Sequence, residues 1–246
     1  MTRYKLLALD MDGTLLNEAK EISAENKQAI AEAQAAGVTV MLATGRGMRS
    51  IVPYIEELGL TSPIVAVNGS EVWSAPDTLL RRQLMDPEYV RRLHALAVRH
   101  NTWWWAYAVD RLYNRDEWTE QLDSVEWLKF GFYYEDVRIL AEVRNIVESW
   151  KELEITNSHP YNIELNPLGV SKASGLAAVC ELLGITMNEV VAMGDSENDV
   201  AMLRAAGLGV AMGNAQDSVK LLADRVTVTN EEHGVAEVIR GYILVD

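Results

Sequence analysis

Apolar positions along the chain fall into short uninterrupted runs separated by amphipathic stretches. Leu6–Leu9 reads as a buried strand. Ser23 reads as the N-cap of a helix over Ala24–Ala36, with Gly37 just past its end. Val38–Ala43 is apolar and β-branched, hence a strand. Arg49–Leu58 reads as a helix closed by Gly59, and Pro63–Val67 as a third strand. This β-α-β-α-β rhythm with short links predicts a parallel sheet covered by helices. The rhythm returns with a helix at Lys172–Leu183, a strand at Val190–Met193 and a helix at Asp199–Ala206. A strand at Leu208–Met212, a helix at Ala215–Ala223, a strand at Val226–Val228 and a helix at Val235–Arg240 complete it.

The segment between the two halves has another character. Every tryptophan except Trp73 lies there. Pro87–His100 reads as a helix, Thr102–Asn114 as a hairpin turning at Asp110-Arg111, and Lys129–Tyr134 as a strand. Val137–Trp150 carries Val137, Leu140, Val143, Ile146, Val147 and Trp150 on one helical stripe. Glu154–Thr156 and Asn162–Leu165 read as two more strands. The expected fold is α/β: a Rossmann-like parallel-sheet core domain over residues 1–84 and 162–246, interrupted by an inserted α+β domain over residues 85–161.

Composition narrows the function classes. The 246 residues are 49% hydrophobic and 24% charged, the profile of an ordinary globular protein. No run approaches the roughly 18 apolar residues that a membrane span needs. The net charge of −14 repels nucleic acid and anionic lipid, and Arg81-Arg82 and Arg91-Arg92 are isolated basic pairs. Neither nucleic acid nor a membrane is therefore expected as a partner. The single cysteine, Cys180, excludes an internal disulfide, fits a reducing compartment and reads as a small buried filler. Met1–Leu9 lacks the long apolar stretch of a secretory signal, which makes the cytoplasm the expected location and empties the Asn68-Gly69-Ser70 sequon of meaning.

The candidate chemistry sits where strands end. Asp10-Met11-Asp12-Gly13-Thr14 follows the first strand, and Gly13 permits a sharp exit that lets two carboxylates converge. In an open α/β sheet ligands bind outside the carboxyl ends of the strands. Thr44-Gly45-Arg46 follows the second strand, where a hydroxyl and backbone amides can hold a phosphoryl oxygen. Lys172 opens a helix, misplaced for the helix dipole unless an anion is near; alone it reads as a surface lysine. Gly194-Asp195-Ser196-Glu197-Asn198-Asp199 follows another strand, and its acids favour a cation. An EF-hand spacing is absent, so calcium is disfavoured. Magnesium suits carboxylates spread over two loops. His94, His100, His159 and His233 lack ligand spacing. The run Trp103-Trp104-Trp105 suggests a stacking platform, but strand alternation sends its middle ring to the opposite face, and core packing is the expected role.

Together Asp-Met-Asp-Gly-Thr, Thr-Gly-Arg, a lysine opening a helix and Gly-Asp-x-x-Asn-Asp resemble, in order and over essentially the whole chain, the haloacid dehalogenase-like superfamily of phosphotransferases. The long insert, Val67-Asn68-Gly69 and Glu164–Lys172 resemble its Cof-type, sugar-phosphatase-like branch, with a cap shortened by about one element.

The resemblance implies a Mg²⁺-dependent phosphatase acting on small phosphorylated metabolites, sugar phosphates foremost. It implies Asp10 as nucleophile, forming an aspartyl-phosphate, and Asp12 as general acid and base. Mg²⁺ would be held by Asp10, the Asp12 carbonyl and Asp195, with Asp199 in support. Thr44 and Lys172 would stabilise the transferring phosphoryl group, with Gly45 binding substrate, Arg46 either binding substrate or forming a salt bridge within the core domain, and Asn198 binding the phosphate or orienting Lys172. A monomer or weak homo-oligomer is expected. Two rival readings use the same residues: a phosphomutase or phosphotransferase passing the group to a sugar hydroxyl, and a non-catalytic phosphometabolite-binding protein.

Overall fold

The computed structural model describes residues 3–245; the start of the Met1–Leu9 segment lies outside the described residues. The chain separates into two units, one running up to Arg81 and resuming at Lys172, the other spanning Arg82–Ser171.

The first unit is built on one mixed sheet. Its first half comprises β1 (Leu6–Leu9), α1 (Ala24–Ala35), β2 (Thr39–Ala43), α2 (Met48–Leu58), β3 (Ile64–Ala66), β4 (Glu71–Ala75) and β5 (Thr78–Arg82). After the second unit, whose elements run from α3 to β10, follow α5 (Lys172–Leu183), β11 (Val190–Gly194), α6 (Glu197–Ala205), β12 (Leu208–Ala211), α7 (Asp217–Lys220), β13 (Arg225–Val226) and α8 (Gly234–Val238). The strand order is β13-β12-β11-β1-β2-β3-β4-β5. The pairs from β13 through β3 are parallel, and β4 returns antiparallel to β3. β1 is fully buried at the middle, which is why its sequence is an unbroken apolar run and not an alternating one. This order places the ends of β1, β2 and β11 side by side.

Sequence reading misses the β4–β5 pair. Leu79 and Leu80 stand exposed and Arg81-Arg82 follows, so this edge segment carries little apolar pattern. The helix expected over Ala215–Ala223 contracts to the single turn Asp217–Lys220. The Ser23 side chain accepts a hydrogen bond from the Asn26 amide and starts α1 as expected.

The second unit contains α3 (Pro87–His100), β6 (Trp103–Ala108), β7 (Leu112–Asn114), β8 (Trp127–Tyr133), α4 (Val137–Trp150), β9 (Leu153–Thr156) and β10 (Asn162–Pro167). Its antiparallel sheet has the order β7-β6-β8-β10-β9. Val90, Leu93 and Ala97 of α3 and Leu140, Val143 and Val147 of α4 pack with Trp104, Phe130, Phe132 and Leu165 from one sheet face. The sequence reading that ends the insert at residue 161 is corrected here. β10 hydrogen-bonds β8 and β9, so the insert extends through it. Pairing across distant segments decides this, and local pattern does not carry it.

Candidate active site

Asp10 and Asp12 leave the carboxyl end of β1. Gly13, at φ +80°, turns the chain back. Any Cβ at Gly13 would stand 2.5 Å from Asp195 Oδ2, so the glycine serves both the turn and the close approach of the β11 loop. Asn214 donates to the Gly13 carbonyl at 2.7 Å and fixes the turn from a third segment.

Lys172 is the hub. It is completely buried, and Nζ donates to Asp10 Oδ1 and to Asp199 Oδ1, both at 2.6 Å. The surface position that an isolated lysine suggests is thus overturned. Asp199 accepts the amides of Asp195 and Ser196 on its other oxygen, at 2.9 and 3.0 Å, which closes the start of α6 as a capping box. Gly194 leaves room for the Asp199 side chain, which a Cβ would displace. Asp195 accepts hydrogen bonds from Thr14 at 3.4 Å and from Ser196 at 3.0 Å.

Oxygens of Asp10, Asp195 and Asp199 all lie within 4.8 Å of one another. Burial raises the Asp10 carboxyl above its ordinary value, more than Lys172 lowers it. Burial and the neighbouring Asp10 raise Asp195. Burial works against the charge of Lys172, but Asp10 and Asp199 hold its proton on more tightly than usual. Three clustered carboxylates therefore have one buried ammonium among them, and it binds Asp10 and Asp199. Two like charges about 4 Å apart cost roughly 4 kcal/mol at an effective dielectric of about 20. An all-oxygen donor set with an excess of negative charge fits a hard divalent cation such as Mg²⁺.

Asp12 faces another way. Arg46 grips it bidentately, with Nε and Nη2 at 2.6 and 2.7 Å, and Lys20 adds a contact at 2.8 Å. Burial would raise its carboxyl, but the hydrogen bonds from Arg46 and Lys20 hold it at about 2. Of the two roles expected for Arg46, substrate binding and a salt bridge within the core domain, the structure shows the salt bridge, to Asp12; Arg46 also stands over the Tyr54 ring, 5.5 Å from its centroid. Thr44 is buried at the end of β2, and its hydroxyl accepts the Arg46 amide at 3.1 Å. Gly45 lies between them on the same turn. Asn198 donates to Asn68 Oδ1 at 3.2 Å.

Asn68, Lys20 and Ser196 also belong to this constellation, although the sequence assigns none of them a role. Asn-Gly after a strand is a turn signal that could have found Asn68. Val67 and Asn68 both hold positive φ, +50° and +56°. A β-branched residue there is a backbone outlier, held by hydrogen bonds from the Val67 amide to the Arg46 carbonyl and from the Asn68 amide to the Thr44 carbonyl.

The family described as haloacid dehalogenase-like hydrolase matches residues 7–239. The chain is a haloacid dehalogenase-like hydrolase. It is 50% identical over 240 residues to the 5-amino-6-(5-phospho-D-ribitylamino)uracil phosphatase YcsE of Bacillus subtilis, covering 98% of this chain and 96% of that protein. A solved haloacid dehalogenase-like hydrolase from Bacteroides thetaiotaomicron superposes with a TM-score of 0.82 at 32% identity, covering 97% of this chain and 99% of that one. Another from B. subtilis superposes with a TM-score of 0.88 at 26% identity, covering 96% and 99%. Membership in this hydrolase family and its named phosphatase relatives make the chain a phosphatase. Among the described residues no helix is long and apolar enough to cross a membrane.

Proposed function

We propose that this haloacid dehalogenase-like hydrolase is a Mg²⁺-dependent phosphatase that works through an aspartyl-phosphate on Asp10. The observation that carries the reading is the cluster of Asp10, Asp195 and Asp199, in which the buried Lys172 binds Asp10 and Asp199. Asp10 and Asp195, with the Asp12 carbonyl, would hold the ion, and Asp199 would support it. When bound, Mg²⁺ supplies charge neutralisation that lets an anionic nucleophile meet an anionic phosphate.

The residues then divide the work. An Asp10 oxygen forms a bond to phosphorus while the bond from phosphorus to the leaving oxygen breaks. Asp12 gives that oxygen its proton. Water next attacks the aspartyl-phosphate, Asp12 takes the water proton, and the Asp10 carboxylate departs. Asp12 as the structure holds it, ionised by Arg46 and Lys20, is ready for the second half. The first half requires these contacts to loosen so that Asp12 can carry a proton. Lys172, Thr44 and the Gly45 amide would stabilise the equatorial oxygens of the transferring group. Asn198 would orient the phosphate.

For the substrate, the 50% identity to YcsE supports 5-amino-6-(5-phospho-D-ribitylamino)uracil, a sugar-alcohol phosphate carried on a pyrimidinedione. The test is release of inorganic phosphate from this compound and from a panel of sugar phosphates, with Mg²⁺ and with EDTA. Mg²⁺-dependent release that Asp10→Asn abolishes without loss of the thermal transition is expected. An Asp10→Asn protein with full activity refutes the nucleophile. Preference for a ring-free sugar phosphate refutes the substrate.

A further inference from the structure

Ser196 touches two of the three clustered carboxylates. Its hydroxyl donates to Asp195 Oδ2 at 3.0 Å, and its backbone amide donates to Asp199 Oδ2, also at 3.0 Å. The residue is buried and forms the N-cap of α6. A serine hydroxyl carries one proton and two lone pairs. The proton goes to Asp195, and a lone pair serves the Asp199 amide in the capping box, so the two tasks do not compete.

Asp195 is restrained on every side but the one that faces Asp10. Its amide donates to Asp199 Oδ2 at 2.9 Å, and its carbonyl accepts the Gln216 amide at 3.0 Å. The backbone is therefore pinned at both polar groups. Thr14 donates to Oδ1 at 3.4 Å, a longer contact than that of Ser196 to Oδ2. Rotation of the carboxylate is the freedom left to the side chain, and the Ser196 hydroxyl is the group that opposes it most.

That rotation matters for the choice of ion. Mg²⁺ demands near-ideal octahedral geometry with short bonds, whereas Ca²⁺ takes more oxygens in a flexible shell and accepts carboxylates through both oxygens. A carboxylate with Oδ2 tied to a hydroxyl offers a cation one oxygen in a fixed direction. The same carboxylate released can turn and offer both. We infer that Ser196 is a positioning residue that holds Asp195 to one oxygen and so sets the preference of this centre for Mg²⁺ over Ca²⁺. The inference rests on the Mg²⁺ reading above and deepens it.

The experiment titrates the full chain with MgCl₂ and with CaCl₂ by calorimetry at pH 8, beside thermal unfolding in EDTA. Glycine replaces serine at an N-cap at little cost, so Ser196→Gly removes the hydroxyl and spares the helix start. Losing a group that orients a metal ligand weakens Mg²⁺ binding by about ten- to hundredfold. Ca²⁺ binding falls by less, so the ratio of the two affinities shifts toward Ca²⁺ while Tm in EDTA stays close to wild type. Ser196→Thr, which keeps the hydroxyl, binds Mg²⁺ more tightly than Ser196→Gly. If Ser196→Gly loses its thermal transition, Ser196→Ala carries the same expectation. Unchanged Mg²⁺ affinity in a folded variant, or an equal loss for both ions, overturns the inference and leaves the Mg²⁺ reading intact. Asp195→Asn with the Mg²⁺ affinity of the wild type overturns the metal reading and the inference together.

Discussion

Replacing Lys172 by methionine tests the electrostatics of the site most directly. The ammonium is fully buried and contacts Asp10 and Asp199 at 2.6 Å each. At that distance and an effective dielectric of about 20, each attraction is roughly 6 kcal/mol before desolvation is counted. Desolvation takes back several kcal/mol per ion, and breaking a buried pair from one side costs about 3–5 kcal/mol on balance. The methionine fills most of the volume, so the loss is electrostatic and not a cavity effect. For a chain of this size that corresponds to a fall of roughly 6–20 °C in Tm. The loss should depend on pH in a defined direction. Without Lys172 the three carboxylates repel one another, and protonation relieves them, so the deficit is large at pH 8 and shrinks toward pH 5. Thermal unfolding of both proteins in EDTA at the two pH values is the assay. A Lys172→Met protein with unchanged Tm at pH 8, or with a deficit that grows on acidification, refutes the reasoning.

Four further outcomes follow from the structure. In EDTA, stability of the wild-type protein should fall as pH rises above about 4: burial raises Asp10 and Asp195 above the ordinary 3.8, so the folded state binds more protons than the unfolded one in that range. Mg²⁺ should accordingly raise Tm more at pH 8 than at pH 5, and an equal gain at both, read by calorimetry, contradicts the cluster as its site. Gly13→Ala forces a Cβ against Asp195 at a positive φ and should cost about 1–3 kcal/mol, with weakened Mg²⁺ affinity measurable by titration calorimetry; affinity equal to wild type would be inconsistent with this. In the second unit, Lys129→Met should cost about 3–5 kcal/mol by leaving Glu164 buried without its cation, and adding Glu164→Gln should recover much of it in urea unfolding; no recovery means the pair is not what is lost.

Much of the site is legible along the chain because phosphoryl chemistry at strand ends leaves local marks. Asp10, Thr44 and Asp195 each follow an apolar run within one or two residues, and Gly13 marks the turn between them. Lys172 is legible as an oddity, a cation opening a helix, but its burial is not. Arg46 shows the opposite limit. Its place after a strand leaves substrate and a salt bridge equally open, and only the fold shows its partner to be an aspartate 34 positions earlier. The end of the insert was misplaced for the same reason, since β10 looks like any short strand until its neighbours are known.

The amino-acid order alone determined the alternation of strands and helices, the aromatic insert and the acids at the strand ends, since each is written in spacings of a few residues. Only the tertiary structure decided which charges share a partner, which tryptophans face away from the core and where one unit gives way to the next. Those outcomes depend on strand order and on burial, and both arise from contacts between residues far apart in the chain.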